Sequence, residues 1–227
     1  MARTLSIDVE GQGAVSGLLE LPDRATALYV LAHGAGAGME HPFMEAVADV
    51  LAERGVGTLR YQFPYMERGG FPPDRPPVAT AAVRAAVEAA RGEAAAFESR
   101  HDRALPVFAG GKSFGARMTS TAAADEPLPG VRGLVFLGWP LHPAKKPGTG
   151  RARHLPDVTV PMLFIQGNRD RLADLALLRP IIRELDAATL HVVEGGDHGF
   201  EVLKRSGRTA AAVLAEIGNT VATWVAS

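Results

Sequence analysis

Three residues, Ser113, Asp170 and His198, have the types and the chain order to make one activated nucleophile. A serine hydroxyl attacks poorly at neutral pH, so it needs a histidine to take its proton. That imidazole in turn needs an acid to fix its tautomer and stabilise its cation. Ser113 stands in Gly111-Lys112-Ser113-Phe114-Gly115, a G-x-S-x-G spacing in which glycines leave room for a tight turn around the serine. The same letters invite a second reading, because Gly-Lys-Ser also ends a phosphate-binding loop. That loop requires a glycine five positions before Gly111, where the chain has Pro106, and a strand ending in an acid to hold magnesium, which "GLVFLGW" lacks. The nucleophile turn is the reading retained.

Such residues must be carried at the carboxyl ends of parallel strands, and this rule sorts the histidines and acids. His191 falls inside the run "TLHVVEG" and Asp157 precedes the run "PMLFIQG", so both are misplaced. Asp170 follows a strand end in "QGNRD" and His198 another in "GGDHGF", with Asp174 a competing acid and Asp197 a turn former. A tetrahedral intermediate also needs backbone N–H donors for its oxyanion. Phe114, after the serine, supplies one; Ala35, in the turn His33-Gly34-Ala35-Gly36, supplies the other, which makes His33 structural rather than a base. The run from Gly34 to Gly38 is no dinucleotide fingerprint, since Met39 breaks the required spacing.

Strand-like and helix-like segments alternate from about residue 27 onward, so the expected fold is α/β, a mostly parallel central sheet with helices on both faces. "SIDVEG" and "AVSGLLEL" around Gly11 and Gly13 predict an N-terminal antiparallel hairpin. The strands are "ALYVLAHG", "VGTLRYQF", "LPVFAGG", "GLVFLGW", "PMLFIQG" and "TLHVVEG". Helices are expected in "PFMEAVADVLAERG", the alanine-rich "VATAAVRAAVEAARGEAAAFESR", Ser113 to Ala124, "LADLALLRPIIREL" and "AAAVLAEIGNTVATWV". Two long stretches read as irregular: 64–77, with five prolines and two glycines, and 139–159. The second is too short for a lid domain of its own, so an open site is expected, with Tyr65 and Met66 from the first stretch and Trp139, Leu141 and His142 from the second bordering the serine. Arg117, one helical turn beyond Ser113, is expected to brace these loops or to meet a substrate carboxylate.

The 227 residues suit one domain, 1–227, with a core large enough to need no staples. A net charge of −1 and dispersed arginines give no reason to expect nucleic acid or an anionic membrane as a partner. Cysteine is absent, which excludes disulfides, cysteine zinc sites and a cysteine nucleophile. No metal or cofactor is called for. The N-terminus meets a charge early and no apolar run is long enough to span a bilayer, so a soluble, cytoplasmic protein is expected.

"RYQFPYMERGG", "GGKSFGARM", "GWPLHP", "LFIQGNRD" and "GGDHGF", taken in order, resemble the α/β-hydrolases across nearly the whole chain. More narrowly, they are similar to small bacterial hydrolases related to dienelactone hydrolases and to hydrolase-like subunits of an animal chromatin complex. The dienelactone hydrolases themselves match less well, since their nucleophile is a cysteine where this chain has Ser113. The resemblance implies a serine hydrolase acting on a small acyl ester or thioester, or else a hydrolase-like module whose role is to bind a protein partner. It names no substrate.

Overall fold

A computed structural model describes residues 2–227. Its centre is one eight-stranded sheet in the order β1-β2-β4-β3-β5-β6-β7-β8. The hairpin β1 (Arg3–Val9) and β2 (Gly13–Glu20) is antiparallel, and β2 pairs antiparallel with β4 (Val56–Tyr61). The remaining pairings, among β3 (Ala27–Ala32), β4, β5 (Val107–Lys112), β6 (Val131–Leu137), β7 (Met162–Gly167) and β8 (Ala188–Val193), are parallel. The five central strands β3 to β7 are mostly apolar and almost wholly buried, as expected for parallel strands covered on both faces, with Arg60, Lys112 and Gln166 among their few buried polar residues.

Helices α1 (Pro42–Ala52) and α6 (Ala210–Val225) cover one face, closing a core of Tyr29, Leu31, Val47, Leu51, Ile165 and Ile217. On the other face lie α3 (Pro76–His101), α4 (Phe114–Asp125) and α5 (Leu175–Arg183), over a larger core that includes Leu59, Phe63, Val83, Phe136 and Phe164. The chain runs from β3 outward to β4, then crosses through α3 back to β5 on the opposite side of β3. The strand order therefore reverses between β3 and β5, where the loops leaving adjacent carboxyl ends diverge and open a crevice.

The two stretches expected to be irregular are more ordered than their composition suggests. In 64–77 a helical turn, α2 (Pro64–Glu67), forms first, and α3 begins at Pro76 rather than after the prolines. Proline lacks only an N–H that the first helical turn leaves unpaired, so it starts a helix as readily as it ends one. In 139–159, 3₁₀ turns at Gly150–Ala152 and Leu155–Asp157 bury Ala152 and Leu155. No lid domain is inserted among the described residues, and none of the described helices is long and apolar enough to cross a membrane.

Candidate active site

The crevice between β3 and β5 holds Ser113. It sits between the end of β5 and α4 with φ 51° and ψ −108°, a strained conformation that turns a strand directly into a helix. The turn closes because its flanking glycines have no side chains: a Cβ on Gly111 would lie 2.3 Å from the Ala32 carbonyl oxygen, and one on Gly115 2.7 Å from the His33 carbonyl oxygen. Strain at the serine is thus held by close backbone contact with β3, which over-determines it.

Ser113 Oγ lies 2.8 Å from His198 Nε2, and His198 Nδ1 lies 2.7 Å from Asp170 Oδ2. The structure therefore brings together the three residues singled out from chain order. Asp170 is held in place by two further donors, Gln166 Nε2 at 2.5 Å and the Leu172 N–H at 2.7 Å. Its side chain is fully buried while that of His198 is 28% exposed, so the acid is fixed and the imidazole stays open to the crevice. With its carboxylate accepting from His198 Nδ1–H, the imidazole presents Nε2 to the serine hydroxyl as a proton acceptor. The competing acid, Asp174, instead caps α5, its carboxylate accepting from the Ala176 N–H at 2.8 Å. Asp197 shapes the histidine turn, accepting from the N–H groups of Gly199 and Glu201, each at 2.9 Å.

Two supports lie outside what the sequence reading singles out. Gln166 reads as an ordinary strand residue, although its position four before Asp170 across a turn is a usable signal. Lys112 stands out in the sequence only as part of a failed phosphate loop. It ends the buried strand β5, and its ammonium donates to the His198 carbonyl at 2.5 Å, so one side chain ties the histidine turn to the residue before the serine. Burial pushes Lys112 down to about 8, against the pull of Asp170 and Asp197.

Of the expected oxyanion donors, Ala35 lines the same opening as Ser113 and His198. Among the described residues, the N–H groups of Ala35 and Phe114 have no protein acceptor, as the first N–H of a helix and an exposed turn allow. The turn bearing Ala35 is braced from the loop after β4. His33 Nε2 accepts from the Phe63 N–H at 3.1 Å while Nδ1 donates to the Gly34 carbonyl, and the Tyr65 hydroxyl accepts from the Gly36 N–H at 3.3 Å. Burial pushes His33 down to about 4, so it stays neutral and serves as a strut, in keeping with the structural role expected for it.

A cavity of about 510 Å³ opens onto Ser113, His198, Lys112 and Ala35, and its walls are largely apolar: Phe43 and Met44 from α1, Phe200, and Val213 and Leu214 from α6. This is where the pocket expectation needs correction, because none of Tyr65, Met66, Arg117, Trp139, Leu141 or His142 lines it. Trp139 and Leu141 are fully buried in the core on the opposite face, and Tyr65 is a buried brace with Met66 packed beside that core. His142 is a buried brace too, its Nε2 accepting from the Asp174 N–H at 3.1 Å, and it borders a separate groove behind Asp170. Residues that follow a strand end can turn to either side of the sheet, and these turn to the side that carries the larger core.

The model of a family described as an alpha/beta hydrolase domain matches residues 25–226. Among solved structures, a dienelactone hydrolase from Anabaena variabilis superposes with a TM-score of 0.74 at 22% identity, covering 99% of this chain and 96% of its own. A lidless α/β serine hydrolase from Xanthomonas campestris gives 0.70 at 20% identity, covering 98% and 94%. Est1E from Butyrivibrio proteoclasticus gives 0.67 at 17% identity, covering 98% and 97%. At these identities the likeness is one of fold. By the family match over nearly all of its length, together with the sheet and turn described above, the chain belongs to the alpha/beta hydrolase domain family.

Proposed function

We propose that this protein is a cofactor-independent serine hydrolase that cleaves a small acyl ester or thioester through an acyl-enzyme. The observation that carries this reading is the unbroken chain from Asp170 through His198 to Ser113 Oγ, opening on an apolar cavity of about 510 Å³. His198 takes the serine proton as Oγ attacks the carbonyl, then gives it to the leaving oxygen or sulfur as that bond breaks. The N–H groups of Ala35 and Phe114 hold the oxyanion, and a water activated by His198 releases the acid. Asp170 keeps the imidazole in the acceptor tautomer and stabilises it when charged.

The cavity lies within the usual range for small-molecule sites. Its walls suit a short apolar acyl chain; among the similar structures Est1E is also solved with ferulic acid bound, and another is described as a cold-adapted esterase from an Arctic intertidal metagenomic library. Turnover of 4-nitrophenyl esters from acetate to octanoate tests the reading. Wild type is expected to show a maximum at intermediate chain length, and Ser113→Ala to lose turnover at every length. Val213→Phe, which fills the cavity from α6, should shift the maximum toward acetate. Full activity in Ser113→Ala, or a chain-length profile indifferent to Val213→Phe, would contradict the assignment of nucleophile or cavity respectively.

A further inference from the structure

Resting on that reading, one buried side chain has a part in the proton transfers that the reaction steps do not give it. Gln166 is the penultimate residue of β7 and wholly buried, and alternation along the strand sets it on the face of Phe164, in the larger core. From there its Nε2 donates to Asp170 Oδ2 at 2.5 Å. The same oxygen accepts from His198 Nδ1 at 2.7 Å, while Asp170 Oδ1 accepts from the Leu172 N–H at 2.7 Å. Two donors thus converge on the one carboxylate oxygen that serves the base.

The other end of the amide shows that packing does not explain it. Among the described residues, Gln166 Oε1 is buried with no hydrogen-bond partner, and a buried acceptor left unpaired is unfavourable. Turning the amide over would not cure this, because Oε1 would then face Asp170 Oδ2, acceptor against acceptor. A methionine or leucine in this place would leave no orphaned oxygen. What the amide contributes is its donation to Asp170.

That donation has a definite electrostatic sign. It occupies an acceptor oxygen that would otherwise serve the imidazole alone, and it aims the positive end of the amide dipole at the oxygen on which an imidazolium would also converge. Both effects disfavour the protonated imidazole. The other charged groups around His198 are Lys112, whose ammonium binds its carbonyl, and Asp197 in its own turn, with His41 and Glu201 lining the same cavity. Gln166 hydrogen-bonds none of these, so a change there alters the base through Asp170 alone.

We propose that Gln166 is a positioning residue that keeps His198 uncharged, and so ready to take the serine proton, down to lower pH than Asp170 by itself would allow. The test is Gln166→Met, similar in shape but without a donor, with Gln166→Leu as a second shape. The imidazole C2–H of His198, assigned by its loss in His198→Ala, is followed by NMR against pH. Its midpoint is expected to lie about 0.5 to 1 unit higher in both variants than in wild type. The acid limb of kcat/KM for 4-nitrophenyl butyrate is expected to move up by the same interval, the denaturant unfolding midpoint staying near that of wild type.

A role confined to packing would instead lower the unfolding midpoint and leave the imidazole titration where it is. An unmoved or lowered titration midpoint in either folded variant overturns the proposal. Failure of the hydrolase reading alone would look different: the imidazole midpoint rises in both variants while wild type turns over no ester.

Discussion

Lys112 poses the sharpest question at the scale of single residues, because burying an ammonium beside a nucleophile costs stability that must be offset by something. Its hydrogen bond to the His198 carbonyl at 2.5 Å and its proximity to Asp170 and Asp197 supply that offset, and the Phe200 ring lies 5.4 Å away. The arrangement makes Lys112 a positioning residue, since the same residue continues the backbone into Ser113 and holds the turn that carries its base. Misplacing a reacting group by about 1 Å can cost on the order of 100-fold. Lys112→Met is therefore expected to lower kcat for 4-nitrophenyl butyrate by roughly 10- to 100-fold with little change in KM, the circular dichroism spectrum staying native. Unchanged kcat would remove the strut from the account. In the sequence Lys112 misleads because Gly-Lys-Ser suggests phosphate, and the reach of a lysine back across a strand end is visible only once β6 and the histidine turn are placed.

At the scale of elements, the turn after β3 helps to set the geometry of the site. The turn after β3 is held by His33, whose neutral ring accepts from the loop after β4. His33 is pushed down to about 4 in the folded protein, while in the unfolded chain it titrates near 6.5. Between those values the unfolded state binds more protons, so stability rises with pH and is lost as pH falls from 6.5 to 4. The full loss is about 3 kcal/mol for 2.5 pH units of separation. His33→Gln keeps a side-chain acceptor for the Phe63 N–H and removes the titration. Denaturant unfolding at pH 6.5 and 4 should show wild type losing about 3 kcal/mol more than this variant, and equal losses would place the acid sensitivity elsewhere. The loop 139–159 marks a limit of sequence reasoning. Placement after a strand end puts Trp139 and Leu141 near the serine, but it does not say which side a residue faces, and both pack into the core.

At the scale of the whole molecule, the legible part of the sequence is the part governed by periodicity and strand-end placement. The parallel strands read as apolar runs, α1 and α3 carry proline at their starts, and the order Ser113, Asp170, His198 follows from one rule about strand ends. What stays hidden depends on contacts between distant segments: the position of the cavity between α1 and α6, which are separated by most of the chain, and the struts Gln166, Lys112 and Tyr65. The sheet explains both outcomes. Its order reverses between β3 and β5, so the serine turn and the Ala35 turn leave adjacent strands and face one crevice, while β7 and β8 bring the acid and the histidine alongside.

The central claim is that this assembly activates Ser113. Its most direct test is intact-mass analysis after exposure to a fluorophosphonate, comparing wild type with Ser113→Ala and His198→Ala. One adduct per chain on wild type, located at Ser113 and lost in both variants, is the predicted result. No adduct on folded wild type, or an adduct that survives in Ser113→Ala, would contradict it.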